Sequence, residues 1–162
     1  MFARRPSLRS RITVGIVAGI LSGIVKFGWE VPFPPRSPER NETNPPQQML
    51  QNMGVPKEIT HSTYTILGNK LPWVSFVIHF AFSIVFSVLY MVLAGIFPSV
   101  RAGRGAIFGI LVWLFSHVIL MPAARIVPGP ADQPIEEHLS EFFGHIVWMY
   151  PVDLMYRVKF QG

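Results

Sequence analysis

The chain of 162 residues contains no cysteine. That excludes disulfides, thiolate metal sites and a cysteine nucleophile. Charge is almost as scarce: 14 Lys and Arg with 9 Asp and Glu make up only 14% of the residues, against 50% that are hydrophobic. Together with a clearly positive mean hydropathy, this is too apolar for a soluble domain of such length and places the chain in a membrane. Catalytic signatures are missing as well. No G-x-S-x-G, H-E-x-x-H, phosphate loop or paired acidic motif occurs, so an enzyme is not expected.

What the chain does have is long charge-poor runs, at residues 12–28, 73–97 and 105–127. Each is about long enough to cross roughly 30 Å of hydrocarbon at 1.5 Å per residue. A fourth stretch, 139–156, has the length but carries Glu141, His145, Pro151 and Asp153. Charge asymmetry bears on it. Arg4, Arg5, Arg9 and Arg11 precede the first run, Arg101 and Arg104 follow the second, and Arg157 and Lys159 follow the fourth. The other connections hold Glu30, Glu39, Glu42, Glu58, Asp132, Glu136 and Glu137, and residues 128–137 contain no Lys or Arg. The positive-inside rule then gives four spans with both termini cytoplasmic. In the three-span alternative, 139–156 rests on the surface as an amphipathic helix.

The expected fold is an all-α polytopic helical bundle, a single membrane domain with an outer loop cap over 29–72 and a short outer loop at 128–137. The net charge of +5 sits at span ends, which suits topology and anionic lipid at the N-terminal arginines rather than nucleic acid. Residues 1–28 have a signal-like basic start and apolar run. They lack an A-x-A-like cleavage site and read as an uncleaved first span.

Gly15, Gly19 and Gly23 recur every four residues in that span and leave one helix face almost bare. Such a stripe serves either packing against the chain's own spans or a homo-oligomer seam, and the expectation is an oligomer through this face. Beyond the span, Pro32, Pro34, Pro35 and Pro38 surround Arg36 and forbid helix. A stiff polyproline-like segment is expected there, serving as linker or as a lid across the outer end of the bundle. Asn44-Pro45 and Gly54 bracket a short capped helix.

Six ionisable residues lie within or at the ends of the apolar runs: Lys26, Glu30, His79, His117, Glu141 and His145. A bilayer tolerates such groups only when they are paired, buried in protein or water-lined. Counted from the outer span ends, the five within the runs fall between about 5 and 15 Å deep, at 1.5 Å per residue. Glu30 follows Lys26 by four residues and can pair with it. His138, Glu141 and His145 share one helix face. Three uses are open: a proton-sensing or proton-passing site, a divalent-metal site formed by His79, His117, His145 and Glu141, or hydrogen bonds that only hold helices together. No cofactor is required by the sequence, and metal remains an alternative.

The strings KFGWEVPFPPRSP, HFAFSIVF and SEFFGHIVWMYPVDLMYR resemble the YagU family of small bacterial inner-membrane proteins, in order and spacing across most of the chain. On that resemblance Lys26, Glu30, Pro32, Pro34, Pro35, Arg36, His79, His117, Glu141, Gly144 and His145 fall on family motif positions. The resemblance implies a bacterial inner-membrane location and a domain of unknown function loosely connected with survival in acid. The leading expectation is a pore- or carrier-like vestibule with an outward-facing His/Glu site. In it His145 and Glu141 are the protonatable pair, His79 and His117 complete the wall, and Lys26 with Glu30 latches the lid. The alternatives are an envelope interaction protein and a metal- or haem-binding membrane protein.

Overall fold

The computed structural model describes residues 6–66 and 68–161, so Arg4 and Arg5 of the basic N-terminus lie outside the described residues. Helix α1 (Leu8–Glu30) begins where the Ser7 hydroxyl accepts a hydrogen bond from the Ser10 amide. The cap region that follows contains two short helices, α2 (Pro45–Asn52) and α3 (Lys57–Thr60), and an antiparallel hairpin of β1 (Thr63–Ile66) and β2 (Asn69–Pro72). Helix α4 (Trp73–Ala94) crosses back. The connection Pro98–Gly105 turns through positive φ at Gly103, Arg104 and Gly105. Helix α5 (Ala106–Trp113) continues through a π-helical stretch, Leu114–Leu120, into α6 (Met121–Ala123). The last helix, α7 (Ile135–Phe160), runs unbroken past Pro151.

Among the described residues, three segments are long and apolar enough to cross a membrane: Leu8–Glu30, Trp73–Ala94 and Pro98–Ala123. At 26 residues, α7 is longer than the 139–156 stretch read from sequence, but it is not among the segments apolar enough to cross a membrane. Its ends suit the helix dipole, with Glu136 and Glu137 in the first turn and Arg157 and Lys159 in the last.

The packing is inverted relative to a soluble protein. Ile16, Ile20, Val85, Leu111, Ile119, Leu154 and Val158 face outward, whereas Ser22, Lys26, Ser83, Glu141, His145 and Asp153 are buried. An apolar exterior around a polar interior is stable only where the surroundings are themselves apolar. Helix α1 lies along both α4 and α7, and α5 packs on α7. Between them Trp148 donates to the Ser83 hydroxyl at 2.7 Å, and Ser83 donates to the Gly19 carbonyl at 2.7 Å.

The glycine stripe explains how α1 and α4 approach so closely. A Cβ on Gly15 would lie 2.7 Å from Val88 Cα, on Gly19 2.5 Å from Ile84 Cα, and on Gly23 2.9 Å from the Phe80 ring. The expected oligomer seam through Gly15, Gly19 and Gly23 is therefore corrected: this face is occupied by the chain's own α4. Close backbone approach is what small residues provide when both helices are otherwise apolar.

The proline-rich segment also differs from expectation. Residues 31–38 form turns and bends, and Glu39–Asn41 a single 3₁₀ turn, rather than one extended rod. Its backbone is folded down onto α7, where Ser140 donates to the Phe33 carbonyl at 2.6 Å and Trp29 donates to the Ser140 carbonyl at 3.1 Å. Helix α2 forms as the sequence suggested. Asn44 and Gln47 make a reciprocal capping box, and Gly54 leaves the helix at φ +89.

Candidate functional site

The site is centred on one carboxylate. Glu141, on the buried face of α7, receives Lys26 Nζ at 3.1 Å on Oε2, while Arg36 Nη1 stands 3.9 Å from Oε1. His117 Nε2 and His145 Nδ1 are each 3.7 Å from Oε2. Lys26 also donates to Glu30 at 2.7 Å, the i, i+4 pair expected on α1. With both imidazoles neutral, Lys26 and Arg36 balance Glu30 and Glu141. That balance is what allows Lys26, Arg36 and Glu141 to remain buried beside the partly exposed Glu30, since a lone buried charge would carry a desolvation cost of several kcal/mol.

Each histidine is oriented by its helix. His145 Nδ1 donates to the Glu141 carbonyl at 2.7 Å, one turn back, and its ring meets His117 edge to face with centroids 4.9 Å apart. His117 lies in the π-helical stretch. Pro122 just beyond has no N–H to give to the Val118 carbonyl and crowds it, while Met121 bonds five residues back to Ser116. The local widening sets the direction in which His117 points.

Of the six residues singled out in the sequence, the structure brings Lys26, Glu30, His117, Glu141 and His145 together. His79 stands apart. Its Nε2 donates to the Gly23 carbonyl at 3.0 Å and its ring stacks on Phe27 at 3.9 Å, so it joins α4 to α1. His138 likewise turns from the Glu141 face to donate to the Pro130 carbonyl at 2.9 Å. The prolines of the lid serve as its frame, and its ionic contacts come from arginine. Arg36 faces Glu141, and Arg40 grips Glu137 through two bonds of 2.6 and 3.2 Å. Arg40 and Glu137 escaped sequence reasoning, yet a signal was present: two arginines four apart match two glutamates four apart.

The expected vestibule is closed in this conformation. The side chains of Lys26, Arg36, Glu141 and His145 are each less than a tenth exposed. A groove of about 490 Å³ on the outer surface is lined by Ile20, Ile24, Phe27, Phe76 and Phe80, and none of these belongs to the cluster. Gly144 leaves room for α1, because a Cβ there would come within 2.9 Å of Lys26 Nζ and 3.0 Å of Trp29 Cδ1.

Among the described residues, His117, Glu141 and His145 also form a group whose potential metal-ligand atoms all lie within 4.8 Å of one another. Two imidazoles and a carboxylate suit a first-row divalent ion. Lys26, however, already occupies Oε2, and a dication would add two charges to a balanced cluster. His79 is not in the group.

The family described as "Protein of unknown function (DUF1440)" matches residues 20–154. A protein of Escherichia coli (strain K12) named "Inner membrane protein YagU" is 36% identical over 166 residues, covering 89% of this chain and 81% of that one. The chain belongs to the YagU family. No solved structure matches it. The relative and the three apolar spans together make it an inner-membrane protein. In this YagU-family chain the strings that carry the resemblance face each other. Lys26, Glu30 and Arg36 come from one, and Ser140, Glu141, Gly144 and His145 from another.

Proposed function

We propose that this chain is a four-span inner-membrane protein, termini cytoplasmic, that acts as a proton-responsive carrier-like unit. The observation that carries the reading is the convergence of Lys26, Arg36, His117 and His145 on Glu141 beneath a cap held by Arg36 and Arg40. A bundle needing only helix adhesion would be expected to bury apolar contacts, since breaking even one partner of a buried ion cluster is costly.

Protonation acts on this cluster with a definite sign. A proton on Glu141 removes the anion facing Arg36 and leaves Lys26 with Glu30 alone. Protons on His117 and His145 add positive charge beside Lys26 and Arg36. Both changes loosen the cap, so acid favours the open form and neutral pH the closed one. Support for α7 as the fourth span comes from its burial pattern. Glu137, Ser140, Glu141, His145 and Asp153 face inward, while Leu139, Phe143, Leu154 and Val158 face outward.

The test is flux in reconstituted vesicles. Wild-type protein is expected to pass protons or small solutes faster as the outer pH falls, and a Glu141→Gln/His145→Ala variant to lose that response. Equal flux in the two would sink the reading. A metal-binding role is the second reading, favoured by the grouping of His117, Glu141 and His145. Elemental analysis of gently extracted protein decides it, stoichiometric zinc or another first-row metal being required.

A further inference from the structure

A second buried ionic cluster lies at the opposite end of the same helix. Asp153, on α7, accepts Tyr90 Oη at 2.8 Å and Arg101 Nε at 2.7 Å, both on Oδ1. Arg101 comes from the Pro98–Gly105 connection and lies over the Tyr156 ring at 4.5 Å. Asp153 is 1% exposed, more deeply enclosed than Glu141. The twelve residues from Glu141 to Asp153 span about 18 Å of helix at 1.5 Å per residue.

The interval between the two clusters contains hydroxyl groups. On α4, Ser83, Ser87 and Tyr90 follow one another at i, i+4 and i+7, a single face, and all are fully buried. Ser83 is bonded to Trp148, Gly19 and Ser22. Ser87 Oγ, between Ser83 and Tyr90, is buried and finds no partner among the described residues. Ser116 Oγ is in the same condition, one residue inward of His117 on the π-helical stretch. Buried hydroxyls are almost always satisfied, by protein or by internal water, and leaving one bare costs roughly 1–3 kcal/mol. Two such hydroxyls lie at depths between the two ionic clusters, where internal water would satisfy them.

We infer that this chain conducts protons from the outer Glu141/His117/His145 cluster to Asp153 along a line of Ser116, Ser83, Ser87 and Tyr90 hydroxyls bridged by internal water. This rests on the titratable outer site proposed above and gives it an inner terminus. A proton taken up at Glu141 or an adjacent imidazole passes to water. Each hydroxyl accepts one proton on its oxygen as it releases its own to the next acceptor. At the end, Tyr90 gives its phenolic proton to Asp153 Oδ1 and takes one from the Ser87 side. Asp153 then releases it toward the Pro98–Gly105 connection as Arg101 resumes the pairing. No oxidant or further reactant is needed, and the only net change is a proton moved inward down its gradient.

Ser87→Ala is the decisive variant because it removes a hydroxyl that no protein group uses. Protein is reconstituted in vesicles loaded with a pH-sensitive dye, the potential is clamped with potassium and valinomycin, and the outside is acidified. Ser87→Ala is expected to keep or raise the unfolding temperature in detergent while cutting proton influx by about tenfold or more. Tyr90→Phe should cut it comparably. Influx unchanged by both variants, with Glu141→Gln still reducing it, would overturn the inner line and leave the outer site standing. Wild-type influx no greater than that of empty vesicles would overturn both.

Discussion

At the residue scale, the contribution of each group depends on what it leaves behind when removed. Glu141→Gln withdraws the anion shared by Lys26 and Arg36. Lys26 keeps Glu30, so the expected loss lies at the lower end of the range for breaking a buried ion pair, about 3 kcal/mol, read from unfolding in detergent at neutral pH. The glycines make a sharper pair. Gly19→Ala places a methyl 2.5 Å from Ile84 Cα and must push α1 from α4, costing about 1–3 kcal/mol. Gly28→Ala meets nothing within 4 Å and is expected to gain up to about 1 kcal/mol from helix propensity. If the two alanines had equal effects on unfolding temperature, the close α1/α4 approach would be wrong. At this scale the sequence fixes depth well and direction poorly. Lys26, His117, Glu141 and His145 were placed at compatible depths by counting along helices, and the structure gathers them. His79 has a compatible depth too, but its position around α4 turns it to Gly23 and Phe27, and azimuth depends on how the helices are rotated against each other.

At the element scale, the cap and α7 act as a pair. Two arginines of the cap face two glutamates one helical turn apart, so the latch closes along a line rather than at a point. Amide exchange over residues 31–44, corrected for the intrinsic effect of pH, is therefore expected to quicken as pH falls. Arg40→Ala should already exchange faster at neutral pH, and Glu141→Gln should show a weaker dependence on acid than the wild type, the share left by His117 and His145. Protection that stayed constant with pH in all three proteins would show that the cap does not respond to the cluster. Helix α2 was legible because a capping box and a terminal glycine are local signals. The hairpin Thr63–Ile66/Asn69–Pro72 and the π-helical stretch were not. Their formation depends on the seam with α4 and on how α5 accommodates Pro122, neither of which is a local pattern.

At the scale of the whole molecule, α7 packs against α1 and α5 and reaches α4 through Trp148–Ser83 and Asp153–Tyr90, which makes it the carrier of both ionic clusters. Whether it spans the bilayer can be read directly. With no cysteine in the natural chain, single replacements label without background. Glu58→Cys is expected to react with a membrane-impermeant maleimide from outside intact spheroplasts, and Arg157→Cys only after permeabilisation. Reaction of both from outside would mean that α7 lies on the surface and that three spans cross.

The sequence alone determined the class and the layer of this protein. Scarce charge, long apolar runs and the placement of arginines at their ends reflect the cost of transferring each residue out of water, which composition records one position at a time. Only the tertiary structure decided which polar groups share a carboxylate, that the glycine stripe is filled by α4, and that Arg40 rather than proline alone holds the cap. Those facts depend on helix rotation and on contacts between residues as far apart as Lys26 and Glu141. Such contacts are set by the simultaneous packing of several helices, which no single segment specifies.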